Sequence, residues 1–429
     1  MNRTEHKQEH APSYYAATQT DRETYPALHG DIATGICVIG GGFTGVATAL
    51  TLAERGYEVA LVEANRIGWG ASGRNGGQLI NGIGGLAKIR KKYGNHLADV
   101  LWDMRWRGNS IIRERVQKYA IDCDLKNGYV EVARKPRQVA HIHEEAEERK
   151  RRSFPHPYEV WDAAQTESYL GTDKFHGGFA CFRDGHVHPL NLCKGEARAA
   201  ASLGVRIFEQ SPVASIKHGA KPKVVTEHGT VSADAVVLAG NAYSRLEPRH
   251  LSNLVFPAGS YIIATEALSD DVVSRINPRD VAVCDLNEVV DYFRMSADKR
   301  LLYGGACNYS GRDPASIESY IRPRMLAVYP WLKDVRVEFE WGGKIGIVLN
   351  RIPTVGRIDN NIYYCQGYSG HGVTGSHLMG EIVADAVGGT LEKFDLFAGM
   401  RHFRLPGSRW LGNQIIALGM MYYKLKDRL

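Results

Sequence analysis

Three glycines and one acid are the clearest chemical signal in the sequence. Gly40, Gly42 and Gly45 follow a short apolar run and precede an alanine- and leucine-rich stretch, and Glu63 ends the next apolar run. Glycines at this spacing permit a tight turn, a close approach of backbone to a pyrophosphate, and close packing of a helix on a strand. The acid can accept hydrogen bonds from ribose hydroxyls, and its charge repels a 2′-phosphate. The pattern predicts a site for an adenine dinucleotide other than NADP.

The elements around these residues have the order that such a site needs. Residues 36–39 and 57–62 are predicted strands, and residues 46–55 are a predicted helix. The N-terminus of this helix would point its N–H groups at the phosphates. The same glycine spacing recurs within residues 68–73 and 370–375, but only the first copy combines a strand before it, a helix after it and an acid at the end of the next strand. The prediction therefore depends on the first copy, because the spacing alone is a weak signal.

Two further glycine-rich loops favour FAD over NAD. Residues 68–78 follow the second strand directly, and residues 367–374 precede a predicted helix that runs through Ala386. FAD is a long molecule, and a second loop that contacts its phosphate and its ring is typical of a site for it. The N-terminus of the later helix would stabilise negative charge at the pyrimidine edge of a flavin. Each loop taken singly is also compatible with an ordinary glycine turn.

Composition excludes several classes of protein. The chain has 429 residues, of which 44% are hydrophobic and 23% charged, and these values are typical of a globular protein of roughly two or three domains. The excess of six positive charges contains no dense basic run, so no nucleic-acid partner is expected. Seven scattered cysteines without a CxxC pair predict neither a disulfide framework nor a metal site. The N-terminus is polar and no apolar run has the length of a membrane span, so a cytoplasmic protein is expected.

Several segments resemble the D-amino-acid-oxidase-like FAD-dependent oxidoreductases, a family that includes glycine and sarcosine oxidases. The segments are residues 13–17, 66–78, 185–192, 239–243, 361–364, 366–374 and 425–429. The resemblance implies an α/β (α+β) fold, in which a Rossmann-like FAD-binding domain carries an inserted antiparallel-sheet substrate domain. The expected division is an N-terminal arm at 1–30, a discontinuous FAD-binding domain at 31–90, 155–255 and 345–429, and a substrate-binding domain at 91–154 and 256–344.

The resemblance also implies which residues contact FAD, in the glycine turn, in the loop after the second strand, and near the C-terminal helix. These residues are Gly40, Gly42, Phe43, Thr44, Gly45, Glu63, Ala64, Arg66, Ala71, Ser72, Arg74, Asn75, Gly76, Gln78, Leu79, Val213, Gly240, Gly370, His371, Gly372, Val373 and Thr374.

One stretch departs from the family pattern. Amino-acid-oxidising members often carry a W-x-G-x-R-P sequence followed by D-x-x-P-x-x-G, and its arginine binds the substrate carboxylate. Here the stretch runs from Trp341 to Gly356, and Ile345 stands at the position of the arginine. Isoleucine cannot form a bidentate pair with a carboxylate, although Lys344 or Arg351 could supply a cation instead. The expected substrate is therefore an amine whose reacting carbon bears no carboxylate.

The resemblance implies oxidation of an amine C–N bond. The expected substrate is a gamma-glutamylated polyamine, and O2 or another acceptor takes up the electrons. A D-amino-acid or glycine-type oxidase and a non-catalytic flavin-binding protein are the alternatives. Since a flavin carries the chemistry, few catalytic side chains are needed. His371 and Lys344 are the catalytic candidates, and Tyr261 and Tyr292, together with these two residues, are the candidates to line the substrate pocket.

Overall fold

The structure is a computed structural model that describes residues 8–84, 86–310, 312–405 and 409–426. Residues 1–7 of the expected N-terminal arm and residues 427–429 of the C-terminal similarity lie outside the described residues. The helices are α1 (Tyr14–Ala17), α2 (Phe43–Glu54), α3 (Leu86–Asp103), α4 (Arg107–Lys118), α5 (Val139–Arg151), α6 (Ala163–Leu170), α7 (Pro189–Ser202), α8 (Pro248–Leu251), α9 (Asp270–Ile276), α10 (Ile317–Val328), α11 (Gly372–Val387), α12 (Glu392–Ala398) and α13 (Arg409–Lys426).

The strands are β1 (Ile32–Ile39), β2 (Val59–Val62), β3 (Gln78–Leu79), β4 (Lys126–Val132), β5 (Tyr158–Trp161), β6 (Gly178–His186), β7 (Arg206–Phe208), β8 (Val213–Lys217), β9 (Lys223–Thr226), β10 (Thr230–Leu238), β11 (Phe256–Thr265), β12 (Ala282–Asp285), β13 (Asp291–Met295), β14 (Leu301–Asn308), β15 (Val337–Ile347), β16 (Thr354–Ile358) and β17 (Ile362–Gln366). Short 3-10 helices include Ala71–Gly73 and Asn241–Tyr243.

The first sheet has the parallel core of a dinucleotide-binding fold. Its strands follow the order β16-β17-β10-β1-β2-β7, and β9 joins β10 and pairs with β8. β1 runs parallel to β2 on one side and to β10 on the other, and β10 runs parallel to β17. α2 connects β1 to β2, and its apolar side chains, including Val46, Leu50 and Leu52, are fully buried. The predicted Rossmann-like α/β fold is confirmed.

The second sheet is mostly antiparallel. Its order is β15-β11-β14-β13-β12-β4-β6-β3, with β5 paired to β6, and β12 runs parallel to β4. One face packs with α10 around Phe293 and Tyr303. The other face, which includes Ile262 and Trp341, packs on Tyr15 of α1. This face is turned toward the first sheet and its glycine loops, since the Trp341 indole donates to the Arg74 carbonyl at 3.0 Å.

Strand pairing places three strands of the expected FAD-binding domain in the second sheet. β3, β5 and β6 pair in the second sheet, whereas the expected division groups residues 31–90 and 155–255 with the nucleotide-binding strands. Alternating apolar residues identify a strand but not its partner, because pairing is decided by tertiary contacts. We therefore propose the same division with residues 78–79 and 158–186 assigned to the substrate-binding part.

Two helical segments have features that the spacing and charge of their residues do not show. The helical spacing over residues 86–120 gives two helices, α3 and α4, and α3 is itself kinked at Gly94, where φ is +86°. The charged run 141–152 is not entirely a solvated face, because Arg149 of α5 is only 2% exposed. Its guanidinium lies 4.2 Å from the ring centroid of Phe179, which stabilises a buried cation.

Glycines allow three helices to cross closely behind the first sheet. A Cβ at Gly380 of α11 would lie 3.1 Å from the Cβ of Ala47 in α2, and a Cβ at Gly108 of α4 would lie 2.0 Å from the carbonyl oxygen of Thr374 in α11. Because no larger residue fits between α4 and α11, Gly108 determines how closely α4 approaches the first turn of α11.

The N-terminal arm is anchored on both parts of the molecule. The Tyr14 hydroxyl donates to Asp298 at 2.6 Å, and Tyr15 is fully buried. His188 caps α7, because its Nδ1 accepts the Asn191 N–H at 3.1 Å, and its Nε2 lies 3.1 Å from the Thr18 hydroxyl. The arm therefore contacts a buried histidine through the Thr18 hydroxyl.

The C-terminal helix α13 packs on the start of β11. A Cβ at Gly412 would lie 2.2 Å from the Phe256 ring, so glycine is needed for this contact. Trp410 and Leu418 on the same helix are each 66% exposed. None of the described helices is long and apolar enough to cross a membrane.

Gly108→Ala tests the crossing of α4 and α11. The Thr374 carbonyl belongs to a helix backbone and cannot rotate away, so we expect the free energy of unfolding to fall by about 1–3 kcal/mol, measured by urea denaturation. The control is Gly419→Ala in α13, where a Cβ meets no atom within 4 Å. It should be neutral or slightly stabilising, because alanine favours a helix. Equal stabilities of the two variants would contradict the crossing.

The pH dependence of the stability of His188→Asn tests the buried helix cap. Burial, reinforced by Arg294, lowers the pKa of His188 to about 3. The unfolded chain takes up this proton near pH 6.5, so the histidine costs stability as the pH falls below that value. Asparagine still caps a helix but does not titrate. Between pH 7 and pH 5 the variant should lose about 1–2 kcal/mol less than the parent in urea unfolding. A pH slope in His188→Asn equal to that of the parent protein would refute the linkage.

Candidate active site

The carboxyl ends of four parallel strands meet at one edge of the first sheet. β1 ends at the turn that begins with Gly40, β2 ends before Glu63, β10 ends before Gly240, and β17 ends before the loop 367–371. β2 and β10 lie on opposite sides of β1 in the sheet. The helices α2 and α11 both begin at this edge. In open parallel sheets this edge forms a crevice where ligands bind.

Backbone contacts explain the glycines of the first turn. Gly40 has φ of +112°, and a Cβ there would lie 2.9 Å from the Ala239 carbonyl group. A Cβ at Gly45 would lie 1.9 Å from the Gly40 carbonyl oxygen. α2 therefore packs tightly on β1 and begins at Phe43, and the residue before it, Gly42, supplies no side-chain cap. A helix N-terminus beside a glycine turn fits a pyrophosphate.

Glu63 lies beside this turn, where the sequence predicts it. Its carboxylate accepts the Gly41 N–H at 2.6 Å and the Asn65 N–H at 2.8 Å. Burial raises the pKa of Glu63 above its ordinary value. A carboxylate has about four lone-pair directions, so capacity remains for the two hydroxyls of a ribose. The turn, the uncapped helix and the acid together fit the adenosine and pyrophosphate of FAD.

Arg66 is occupied by two carboxylates. It pairs with Glu209 at 2.9 Å and with Glu9 of the N-terminal arm at 2.6 Å. Glu209 is 2% exposed and also accepts the Ile67 N–H at 2.7 Å. We infer that Arg66 positions the loop after β2, with Ala64 at its start, rather than reaching for the cofactor with a free guanidinium.

The loop after β2 is closed by its own side chains. The Ser72 hydroxyl accepts the Phe43 N–H at 2.8 Å, which ties the loop to the first turn of α2. The Asn75 amide donates to the carbonyls of Ala71 at 3.0 Å and Ser72 at 2.8 Å, and its oxygen accepts the Gly77 N–H at 2.7 Å. These bonds fix the loop before any ligand is bound.

Arg74 lies between the loop and the second sheet. Its Nε donates to the Trp69 carbonyl at 2.8 Å, and its guanidinium carbon lies 4.5 Å from the Trp69 ring centroid. Its Nη1 reaches the Gly342 carbonyl at 3.3 Å. Burial lowers the pKa of Arg74. The arginine is thus a link between β15 and the loop.

Arg294 fixes the far end of the same loop, and sequence reasoning missed it. This residue is 2% exposed; its Nε donates to the Gly76 carbonyl at 2.8 Å and its Nη2 to the Val187 carbonyl at 2.9 Å. Beyond it, the Gln78 amide donates to the Val283 carbonyl at 2.9 Å, and Leu79 is fully buried. A single arginine within an alternating strand gives no sequence signal, because its partners are distant carbonyls.

The structure separates the two tyrosines expected in the substrate pocket. Tyr292 faces the loop, since a Cβ at Gly76 would lie 2.7 Å from its ring, and its hydroxyl lies 3.2 Å from the Ser260 hydroxyl. Tyr261 lies on the opposite face of the second sheet, in the core beside Tyr320. It bonds there to Asp313 at 2.9 Å. Tyr261 is therefore not brought to the glycine loops, because its strand register directs it toward α10.

Strand alternation also separates Lys344 from Ile345. Trp341, Gly343 and Ile345 lie on one face of β15, the face where a Cβ at Gly343 would lie 3.2 Å from Arg74. Lys344 falls on the other face, and its N–H donates to the Tyr243 hydroxyl at 3.0 Å. Ile345 thus occupies the face turned toward the loop, and Lys344 does not replace the missing arginine there.

The C-terminal loop reaches the same crevice. The Tyr368 hydroxyl lies 2.7 Å from that of Thr44 in α2, so this loop is tied to the first glycine turn. Gly370 has φ of +102°, and α11 then begins at Gly372 without a side-chain cap. Val373 and Thr374 are buried in its first turn. A second uncapped helix N-terminus at the crevice fits the pyrimidine edge of a flavin.

The remaining predicted residues take different positions. Burial lowers the pKa of His371 to about 4, so its ring is neutral near pH 7. Gly240 directly precedes the 3-10 helix after β10, and Val213 is the first residue of β8. Among the described residues, no group of three His, Cys, Asp or Glu side chains has the arrangement of a metal site.

Comparisons with known proteins agree with this geometry. Residues 35–386 match the family model described as FAD dependent oxidoreductase. The chain is 43% identical over 424 residues to the Gamma-glutamylputrescine oxidoreductase of Escherichia coli (strain K12), and the match covers 98% of this chain and 99% of the relative. It is 39% identical to the Probable oxidoreductase OrdL of Haemophilus influenzae, with 98% of both chains covered.

A solved structure has the same fold. The glycine oxidase from Geobacillus kaustophilus superposes with a TM-score of 0.73 at 22% identity, over 88% of this chain and all of that chain. At this identity the similarity concerns the arrangement of the sheets and helices alone.

Glu63→Ala tests the acid at the end of β2. Loss of a charged acceptor for ribose hydroxyls should weaken FAD binding by about 1.5–3 kcal/mol, which is roughly tenfold to more than a hundredfold in Kd. The measurement is FAD retention on dialysis and titration of the apoprotein. Glu58→Ala, which removes an exposed acid ahead of β2, is the matched control. If the Glu63 variant bound FAD as tightly as this control, the ribose assignment would fail.

Proposed function

The chain belongs to the FAD dependent oxidoreductase family, and on that premise we propose that it oxidises the terminal amine of a gamma-glutamylated polyamine, in the first instance gamma-glutamylputrescine. FAD is its cofactor, and an amine C–N bond is the bond on which it acts. The proposal is carried by one observation, the 43% identity along 98% of the chain to a relative named for this substrate.

The position of Ile345 supports this substrate. The side chain lies on the loop-facing side of β15 and contacts an apolar cluster with Ala258 and Met420. A carboxylate on the reacting carbon would therefore meet apolar carbon atoms at the position where it needs a charged partner, and an unpaired buried charge is costly. An α-amino acid is accordingly a poorer substrate than an amine whose acid group lies far from the reacting carbon.

The protein supplies orientation rather than acid–base groups. FAD, when bound, supplies the acceptor for a hydride from the carbon next to the amine nitrogen. Asn75 and Arg294 hold the loop after β2 in one shape, and Tyr292 covers it from the second sheet. The His371 ring is uncharged near pH 7, so it can form a hydrogen bond with a neutral amine without protonating it.

The products follow from the same proposal. Removal of two electrons converts the amine to an imine, and water then gives an aldehyde and ammonia. With O2 as the acceptor, the overall change consumes one amine, one O2 and one water and yields the aldehyde, ammonia and H2O2. Electron uptake by an acceptor other than O2 would leave the organic products unchanged.

Steady-state kinetics on four amines test the substrate. We expect kcat/KM to be highest for gamma-glutamylputrescine and much lower for putrescine, because putrescine lacks the remote group whose binding energy orients the amine and carries a second charge that needs burial. D-Alanine and glycine should be poorer still. Higher kcat/KM for D-alanine or glycine would favour an amino-acid oxidase.

Anaerobic addition of the same amines tests for catalysis itself. The absorbance of the bound FAD should bleach with gamma-glutamylputrescine. An absorbance that stays unchanged with every amine would favour the third alternative, a non-catalytic flavin-binding protein.

A further inference from the structure

A cavity of about 190 Å³ lies beside the first turn of α11. α5, β4 and β6 line it together with the segment after β3. Ile80, Ile83 and Phe179 form an apolar part of its wall, and most of the other lining side chains are charged or polar. An apolar cavity of about 150 Å³ can hold benzene, so this one has room for a compact polar group.

Two arginines supply the positive charge of the cavity. Arg149 is 2% exposed, and the side chain of Arg105 is 15% exposed. Both pair with Glu145, whose carboxylate bonds to Arg149 and lies 3.5 Å from Arg105 Nη2. The Nε atoms of both arginines lack a hydrogen-bond partner among the described residues. Buried donors without acceptors are costly, so these two nitrogens indicate a missing anionic partner.

Carboxylates supply the negative charge. Asp184 has no solvent exposure, and its Oδ1 accepts from the Asn109 amide at 3.3 Å while its Oδ2 accepts from Asn81. Burial raises the pKa of Asp184 to about 6 and also raises the pKa of Glu131, on which Glu145 acts as well. The Asn81 Oδ1 is without a donor among the described residues. The cavity therefore offers acceptors for a cation close to donors for an anion.

The cavity adjoins the candidate active site. His371, the residue before α11, lines it, and the His371 Nδ1 is buried without a partner in the described part of the chain. The Thr374 hydroxyl donates to the Ile80 carbonyl, which holds the cavity wall against the first turn of α11. The cavity therefore lies beside the same helix terminus that borders the crevice.

We propose that this cavity binds the α-amino-acid end of the substrate, a carboxylate and an ammonium on one carbon. Arg105 and Arg149 bind the carboxylate, and Asp184 and Glu131 bind the ammonium. The inference rests on the proposed function, because such a group must lie far from the reacting amine, separated from it by the glutamyl side chain, the amide and the polyamine chain. It also accounts for Ile345, since carboxylate recognition no longer takes place at the reacting carbon.

The site is tested first with a ligand that cannot be oxidised at the amine position. Gamma-glutamyl-n-butylamide keeps the amino-acid end but has a hydrogen atom in place of the terminal amine. Its affinity for the FAD-loaded protein is measured by calorimetry beside two analogues, one without the α-amino group and one without the α-carboxylate. Each deletion should raise Kd by about tenfold or more, because each removes charge-assisted hydrogen bonds in a buried site. Equal affinities of the three ligands would overturn the proposal.

Two variants assign the charges to residues. Arg105→Met should weaken the binding of gamma-glutamyl-n-butylamide about tenfold or more. The same variant should leave the affinity of the analogue without the carboxylate unchanged, because that analogue already lacks the group that Arg105 binds. Asp184→Asn should show the converse pattern with the analogue that lacks the amino group. Arg151→Met, an exposed position on α5, is the control and should change nothing. Losses of equal size for all three ligands would contradict the assignment.

The two proposals fail separately. Binding that depends on both charged groups, without turnover of gamma-glutamylputrescine, would keep the cavity assignment and reject the proposed function. Turnover of gamma-glutamylputrescine together with indifference to both groups would do the reverse. If a variant loses its FAD or its cooperative melting transition, the three-ligand series on the unaltered protein still decides the assignment.

Discussion

One buried carboxylate holds together the helices on which the rest of the structure depends. Glu196 of α7 has no solvent exposure; it pairs with Arg115 of α4 at 3.2 Å and with His377 of α11 at 2.9 Å. Burial alone would raise the pKa of Glu196, but His377 and Arg115 hold it below the ordinary value. Arg115 also donates to Thr51 of α2 at 2.7 Å. A buried charge that lost one of these partners would be strongly destabilising, so the four helices are held as one unit.

This network also positions the active-site end of α11. The His377 Nδ1 lies 2.6 Å from the Val373 carbonyl and its Nε2 lies 2.9 Å from the Glu196 carboxylate, so the ring links the first turn of α11 to α7. The first turn of α11 is thereby fixed against α2 and α4, where Gly108 and Gly380 permit close contact. Because α11 borders both the crevice and the charged cavity, its position determines the geometry of cofactor binding and substrate binding together.

In the proposed arrangement, substrate recognition and cofactor binding lie in different parts of the molecule. The first sheet presents its glycine turns and the N-termini of α2 and α11 to the cofactor, whereas the charged groups proposed to bind the substrate lie in the cavity beside the first turn of α11. Binding energy gained from a remote group can orient the amine over the reacting atoms, which makes catalytic side chains at the reaction centre unnecessary. Ile345 leaves the position near the reacting carbon without a cation. The cations Arg105 and Arg149 lie at a distance from that carbon, in the cavity.

By itself the sequence determined the elements whose signals are local. Gly40, Gly42, Gly45 and Glu63 lie within one βαβ unit, where glycine spacing and apolar runs specify a strand, a turn and a helix without reference to distant residues. The tertiary structure alone decided everything that depends on strand register and long-range packing. Successive residues of a strand point to opposite faces, so only the pairing of β11, β13 and β14 directs Tyr292 toward the loop and Tyr261 away from it.

The charged cavity has the same origin. Its lining residues come from positions between 80 and 371 of the chain. On the sequence, the segment that contains Arg149 has the composition of a solvated helix face, and nothing local distinguishes a buried arginine from an exposed one. Burial is decided by which surfaces pack against α5, namely Phe179 and the neighbouring carboxylates, and those contacts exist only after the second sheet has formed.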